Sequence, residues 1–431
     1  MKTLRTYLDP IHREIILDLA NPYEKLIADL IDTPEFQRLR RIHQLGITHL
    51  TFQGAEGSRF THSLGVMQLA RRFISIVEYD SPFIKEQIPF ILASALLHDI
   101  GHGPFSHVTE KILGLDHEDW SCKIISDDTK VHEVLDKFSS SINLPATIIK
   151  ILKKVYYPKY VSQLISSQMD LDRFDYLLRD TYLAGTSYGL FALDRILHSM
   201  AIDQKEDRIL IVGEKGQVAV EDYLFSRYSM YTQVYYHKKN LAAKALLASI
   251  LTRAQFLITN KLRLNFCDTA TQKWLLKDDL QTKDYLQLDD IQLLYHIKRW
   301  TQEEDTILQD LSLRFIDRRL PKTVKLNMQI PDATLIENIK AIMLKHGYDP
   351  DYYLRVESTG FKPYDYYRPE VSMPQTNIMI KTNSGLVEEL SKLSKPIEAM
   401  TQVDFATKYL TFPSELEDVI NSIHELNRPL T

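Results

Sequence analysis

Five of the chain's fourteen histidines fall between His62 and His117, and three of them lie in the stretch Ala95-Leu-Leu-His98-Asp99-Ile-Gly-His102-Gly-Pro-Phe-Ser-His107. The adjacent His98-Asp99 pair ends an apolar run, Ile91 to Leu97, and offers a ring nitrogen and a carboxylate oxygen from one backbone turn. Divalent metals of hard or borderline character take such mixed ligands. One histidine beside an apolar run is more often a hydrogen-bonded core residue, but here the grouping is collective. His62 follows Arg59-Phe-Thr, and Asp172 lies in Asp170-Leu-Asp172-Arg173-Phe-Asp175-Tyr176-Leu-Leu-Arg179-Asp180. His62, His98, Asp99 and Asp172 come from three helix-associated segments. They fill four metal positions and leave others open to water or a phosphate oxygen.

The elements that must position these residues are mostly helical over about residues 1 to 260. Apolar positions recur at helical spacing in Glu35 to Leu45, with Gly46 as the stop, and in Ser63 to Val77, which His62 opens. Arg208 to Val220 reads as a hairpin, because two apolar runs flank Gly213 to Gly216. Helix then resumes to about Arg253. Beyond about residue 265 the pattern becomes α+β: strand-like Lys322 to Met328 and Asn377 to Lys381 alternate with helical Ala333 to Lys345 and Val387 to Ser394. Gly360 to Pro369, rich in Tyr and Pro, reads as a loop. The expected organisation is a helical core over 1–264 and a smaller α+β lobe over 265–431.

Composition sets the bounds. The chain has 431 residues, 44% of them apolar, enough for one large domain or two to three of ordinary size. A net charge of −5 argues against a general nucleic-acid coat, so binding of single-stranded nucleic acid is not favoured. The first residues lack the apolar core of a secretory signal, and no run approaches the roughly 20 apolar residues of a membrane span. The expected location is the cytoplasm, with no membrane partner. Cys122 and Cys267 are expected as two buried free thiols, with one disulfide as the alternative.

His62, His98-Asp99 and Asp172 match the H…HD…D pattern of HD-domain phosphohydrolases. Phe36-Gln-Arg-Leu-Arg, Gln44-Leu-Gly46, Arg59-Phe-Thr-His-Ser-Leu-Gly-Val66, His98 to His107, His117-Glu118 and Asp170 to Asp180 follow in order. Together they resemble the deoxynucleoside-triphosphate triphosphohydrolase branch, which includes bacterial dNTPases and the vertebrate SAM-and-HD-domain enzyme. The resemblance covers about residues 7 to 260. It implies an HD-domain helical core, one divalent ion (Mg²⁺ or Mn²⁺ before Fe²⁺ or Zn²⁺), a dNTP substrate and a homotetramer or other homo-oligomer.

In that frame the ion polarises the α-phosphate and activates water, and His107 is the expected general acid on the leaving 5′-oxygen. His102, His117 and Glu118 support it. The bland alternative is a loop held by Gly101, Gly103 and Pro104, with Asp116 to Asp119 as an acidic helix start. A triphosphate needs local cations, and the candidates are Arg59, Arg173, Arg227 and Lys238. By resemblance Arg59 and Arg173 reach the phosphates, Arg173 standing where the vertebrate enzyme commonly has Lys. Arg227 to Lys238, including Tyr235, resembles the helix flanking the nucleotide pocket; a solvated amphipathic helix is the other reading. Tyr176 against C2′ excludes a 2′-hydroxyl, Gln44 and Leu45 complete the sugar contact and Asp180 takes the 3′-hydroxyl, unless Tyr176 and Leu177 are ordinary helix core.

Asp9-Pro-Ile-His12 and Asp32 to Arg40 resemble the segment that binds an activating nucleotide between subunits. Asp32 would read a guanine edge, Arg40 would stack or contact phosphate, and Gln37 belongs to the same nucleotide segment. Leu8 stands where the vertebrate enzyme has Asn. Two other classes stay open: an HD enzyme acting on a monophosphate, cyclic dinucleotide or guanosine polyphosphate, and a nucleotide sensor without turnover.

Overall fold

The computed structural model describes residues 3–139, 141–326, 333–360, 364, 377–403 and 406–422. Its centre is the Ile88–Leu97 helix, apolar on every side and buried from Pro89 to Leu97. A helix with no polar face has to be surrounded. The Arg59–Val77 helix packs along it, and Leu171–Leu183 packs in turn on Arg59–Val77. The first begins at Arg59, three residues before the expected start, so His62 falls in its first turn. His98 and Asp99 follow the last residue of the central helix directly. These three helices bring their ligand-bearing ends to one place.

The protein is mostly α with a smaller α+β lobe, as the sequence implies. Several local expectations are corrected. The N-terminus is a hairpin, Leu4–Asp9 paired antiparallel with Arg13–Asp18. Glu35 to Leu45 is not one helix: Pro34–Arg38 is α-helical, Leu39–Arg41 is a 3₁₀ turn, and His43 bridges to Ser58. Arg208–Val212 is a strand, but its hairpin partner is the preceding Met200–Asp203. Gly213 turns the chain at φ 77° into the Gly213–Met230 helix. That helix packs closely enough that a Cβ on Gly216 would lie 2.6 Å from the Cβ of Ser199.

The Met379–Lys381 strand pairs in parallel with Arg208–Val212, so residues on both sides of the expected division at 264 share one sheet. Its other neighbour is Val387–Glu389, a strand where helix was expected, followed by the short Leu390–Leu393 helix. A second sheet orders Lys322–Lys325, Thr407–Phe412 and Arg355–Thr359 side by side. The Ala333–Lys345 helix has the bounds the periodicity predicts. Met328 of the expected strand lies outside the described residues, as does the Gly360 to Pro369 loop apart from Gly360 and Tyr364. Cys122 and Cys267 are free thiols. The 22-residue Lys238–Thr259 helix is apolar and long enough to cross a bilayer, but most of its apolar residues, Leu241, Leu246, Leu247, Ile250, Leu251 and Leu257 among them, are buried in the protein core.

Candidate metal centre and phosphate site

His62 Nε2 lies 3.0 Å from Asp172 Oδ1 and 3.6 Å from Asp99 Oδ2. His98 Nε2 lies 3.4 Å from Asp99 Oδ1 and 3.6 Å from Asp172 Oδ1. Ligand bonds of roughly 2.1 Å put neighbouring donors about 3.0–3.4 Å apart in octahedral or tetrahedral geometry; His62, His98 and Asp172 gather closely enough to hold a divalent ion, and Asp99, paired with Arg59, adjoins them. Both imidazole Nε2 atoms are buried without a hydrogen-bond partner, which an ion would satisfy.

The opposite nitrogens are engaged: His98 Nδ1 with Ala95 O at 2.9 Å and His62 Nδ1 with Asp175 Oδ2 at 2.8 Å. These bonds aim both Nε2 atoms at the centre. Burial opposes protonation of His62, but Asp172 and Asp175 outweigh it and hold the imidazolium up to about 10. Burial likewise opposes the charge on Asp172, yet His62 and His98 keep its carboxyl well below the usual range.

Asp175 is the residue that sequence reasoning passed over. Its carboxylate accepts four hydrogen bonds: His62 Nδ1, His12 Nε2 at 2.6 Å, Arg179 Nε at 2.8 Å and a terminal Arg179 nitrogen at 2.9 Å. Arg179 also reaches Asp9 Oδ2 at 2.8 Å, while Asp9 Oδ1 accepts the backbone N–H of Ile11 and His12. The N-terminal hairpin turn is thereby tied to a metal ligand. The signal was local, since Asp175 follows Asp172 by three residues and precedes Arg179 by four on one helix.

Beside the metal set stands an imidazole cluster. The rings of His102 and His117 stack at 3.9 Å, and that of His107 meets His102 edge-on at 4.8 Å. His102 Nε2 is 3.3 Å from Asp99 Oδ1, which joins the two groups. The carboxylate on His107 and His117 is that of Glu110, with Oε2 2.9 Å from His107 Nδ1 and Oε1 2.9 Å from His117 Nδ1. Glu118 is exposed in the first turn of the His117–Ser126 helix, which Asp116 caps. Burial lowers the affinity of His102 for a proton, and Arg59 lowers it further. For His117 burial opposes the proton but Glu110 restores it and raises the pKa.

Arg59 is 2% exposed and is directed at Asp99, with Nε donating to Ser106 Oγ at 2.7 Å and a longer 3.5 Å contact to Gln44 O. Gln44 and Leu45 form the turn beside it. Arg173 donates to Ser167 O and lies 3.4 Å from Asp170, and Arg227 donates to Gln168 Oε1 at 2.9 Å.

The expected helix from Arg227 to Lys238 is interrupted. Tyr231–Tyr235 is π-helical, and this register change turns Tyr235 toward Asp180, to which its hydroxyl donates at 2.8 Å. Tyr176 meets the Tyr235 ring edge-on at 6.4 Å. Lys238 starts the next helix and is exposed. Of the residues expected at a second nucleotide site, Asp32 is held by both terminal nitrogens of Arg5 at 2.6 Å. Gln37 accepts from Arg40 Nε at 2.8 Å, and the Arg40 guanidinium lies 3.5 Å over the Phe60 ring.

Asp180 Oδ1 is buried without a partner, and burial pushes this carboxyl up to about 7 despite the Tyr235 bond. A carboxyl whose folded pKa is raised stabilises the fold below the ordinary carboxylate range and loses that contribution as pH climbs through 7. Asp180→Asn keeps the neutral shape. It is expected to raise the unfolding free energy read from urea melts by an amount that grows from pH 4 to pH 7, reaching about 1–3 kcal/mol at pH 8. An equal effect at pH 5 and pH 8 would show that the carboxyl is not buried as a neutral acid.

Residues 59–180 match the HD domain family. The chain is 42% identical over 413 residues to the uncharacterized protein YwfO of Bacillus subtilis (strain 168), spanning 96% of this chain and 93% of that protein. It is 32% identical over 246 residues to the deoxynucleoside triphosphate triphosphohydrolase SAMHD1 homolog of Dictyostelium discoideum, covering 54% of this chain and 47% of that protein. Among solved structures, a phosphohydrolase of Bacteroides thetaiotaomicron is similar with a TM-score of 0.81 and 29% identity, covering 95% of this chain and 99% of that one. With two histidines and two aspartates converging at the ends of three packed helices, and with these relatives, the chain belongs to the HD-domain phosphohydrolase family.

Proposed function

We propose that this HD-domain protein hydrolyses deoxynucleoside triphosphates to a deoxynucleoside and inorganic triphosphate. The observation that carries the reading is one continuous arrangement. The His62, His98, Asp99 and Asp172 set meets a His107–Glu110–His117 cluster through His102, beside a wall built from Arg173, Arg227, Tyr176, Tyr235 and Asp180. A divalent ion held by the first set supplies Lewis acidity to a phosphate oxygen and to water.

The chain's own residues do the rest. Glu110 accepts from Nδ1 of His107, so the exposed ring can carry a proton on Nε2 for the departing 5′-oxygen while the carboxylate offsets the imidazolium charge. Arg173 and Arg227 supply fixed positive charge for the phosphate chain. Water adds its hydroxyl to the α-phosphorus and releases its other proton to solvent, the P–O5′ bond breaks, His107 delivers its proton to O5′ and the exposed ring is reprotonated from solvent. Activation by a second nucleotide near Asp32, Gln37 and Arg40, and assembly as a homo-oligomer in the cytoplasm, belong to the same proposal. There Arg5 would have to release Asp32.

Product analysis with Mg²⁺ or Mn²⁺, each dNTP and NTP alone and the four dNTPs mixed, tests the reading. Deoxynucleoside plus intact triphosphate supports it, and monophosphate plus pyrophosphate redirects it to another HD chemistry. Tyr176→Ala is expected to admit ribonucleotides, narrowing the dNTP:NTP ratio of kcat/KM by about 10-fold or more. A variant that discriminates as the wild type does would remove Tyr176 from sugar selection.

A further inference from the structure

We propose that Tyr285 and Asp290, both outside the HD domain proper, are positioning residues that clamp the Gly101–Ser106 turn and so set the geometry of Arg59 and His107. The inference rests on the phosphohydrolase reading of the site. Phe105 and Ser106, neither of them glycine, have φ of 53° and 54°. Left-handed backbone at such residues costs of order 1–3 kcal/mol each and persists only where its surroundings enforce it.

The enforcement comes from one short segment. Asp290 Oδ1 accepts the Phe105 backbone N–H at 2.6 Å, while Oδ2 takes the His43 N–H at 2.8 Å and His43 Nδ1 at 2.6 Å. The Tyr285 hydroxyl donates to Gly101 O at 2.7 Å, and a Cβ on Gly103 would lie 2.9 Å from that hydroxyl. Tyr285 and Asp290 are 2% and 3% exposed. Burying a carboxylate is costly unless its acceptors are filled, and here both oxygens are used on the turn and its neighbour.

The consequence reaches the reacting groups in two steps. Ser106 Oγ donates to His43 O at 3.0 Å and accepts Arg59 Nε, and Arg59 is paired with Asp99. His107 directly follows Ser106 and opens the His107–Leu113 helix, so the path of the turn decides where the imidazole stands. The Tyr285 ring also stacks on Trp120 at 3.8 Å and 2°, three residues beyond His117 on the same helix. One segment thus braces the turn before His107 and the helix that carries His117.

Asp290→Asn and Tyr285→Phe in the full-length protein test the clamp, with amide exchange over residues 99–107 read beside kcat, KM, metal content and Tm. The expected result for each is exchange about 10-fold or more faster in that segment, kcat lower by about 10–100-fold and KM within about 3-fold of wild type, with metal content unchanged. Tyr285→Phe removes one hydroxyl and keeps the Trp120 stack, so it remains informative if Asp290→Asn folds poorly. Unchanged exchange in that segment would overturn the proposal, and so would faster exchange with a wild-type kcat well below Tm. A wild type silent toward every phosphate ester overturns the phosphohydrolase reading instead, while the exchange comparison still decides whether the clamp exists.

Discussion

Asp172→Ala is expected to lose divalent-metal binding and to lower turnover by more than the ~10–100-fold that removal of a residue behind a ligand costs. The side chain is 31% exposed, and what it holds are the Nε2 atoms of His62 and His98. Its removal therefore opens the metal set without emptying the core, and because the buried His62 keeps Asp175 as a partner, Tm of the metal-free protein should fall by less than in Asp99→Ala. Asp99→Ala should abolish turnover equally but behave differently as a folded protein. Asp99 is the charge partner of Arg59, which is 2% exposed, and an unpaired buried guanidinium costs about 3–5 kcal/mol. Metal content after exhaustive dialysis, turnover and urea midpoints of the two variants side by side check this. An Asp172→Ala protein that kept stoichiometric metal and wild-type turnover would move the catalytic centre away from these four residues.

What the chain revealed and what it concealed divide along sequence distance. His62, His98, Asp99 and Asp172 were legible because a His-Asp doublet at the end of an apolar helix, with an Asp-rich helix further on, is a dense local signal; the fold then brings the ends of their three helices together. Asp290 was not legible, because its role is a bond to Phe105 across 185 positions and nothing in Leu288-Asp-Asp290 marks a partner so distant. Glu110 was within reach, three residues after His107, but the adjacent His117-Glu118 drew attention to the carboxylate that the helix turns to solvent.

The N-terminal hairpin was hidden by an apolar residue on its outer face: Ile15 and Leu17 are buried while Ile16 between them is 38% exposed, so the alternation of a strand reads as a continuous run. Gly213 and Gly216 looked like a hairpin turn because glycine marks tight turns and close packing alike, and only the neighbours at Ser199 and Ile211 show that Gly216 serves the second purpose. The π-helical turn at Tyr231–Tyr235 left no periodicity of its own.

Asp175→Asn is expected to weaken metal binding by about 10–100-fold and to destabilise the protein by about 3–5 kcal/mol, although Asp175 touches no metal position itself. The carboxylate is fully buried and every donor around it is a ring or guanidinium N–H: His12, His62 and two from Arg179. An amide offers one acceptor oxygen and must turn an NH₂ group toward one of these donors. The His62 ring then loses the bond that fixes its Nδ1 proton, and Nε2 is no longer held toward Asp172. Burial works against the Asp175 charge, but Arg179 and the two histidines keep its carboxyl well below the ordinary range. A depressed carboxyl stabilises the fold above that range and loses the contribution only as pH falls through its folded value. The carboxyl itself therefore contributes a constant difference between pH 5 and pH 8, unlike the pH-graded effect at Asp180, while His62, which Asp175 helps keep protonated, makes the difference shrink as pH rises above the ordinary histidine range. His12→Ala separates the two consequences, since it removes one of the four donors and leaves both Arg179 bonds and the His62 bond in place. If the hairpin contributes to holding the metal ligand, this variant loses metal affinity by a smaller factor with most of its stability intact. A His12→Ala protein with wild-type metal affinity in Mn²⁺ titrations would confine the positioning of His62 to Asp175 and Arg179.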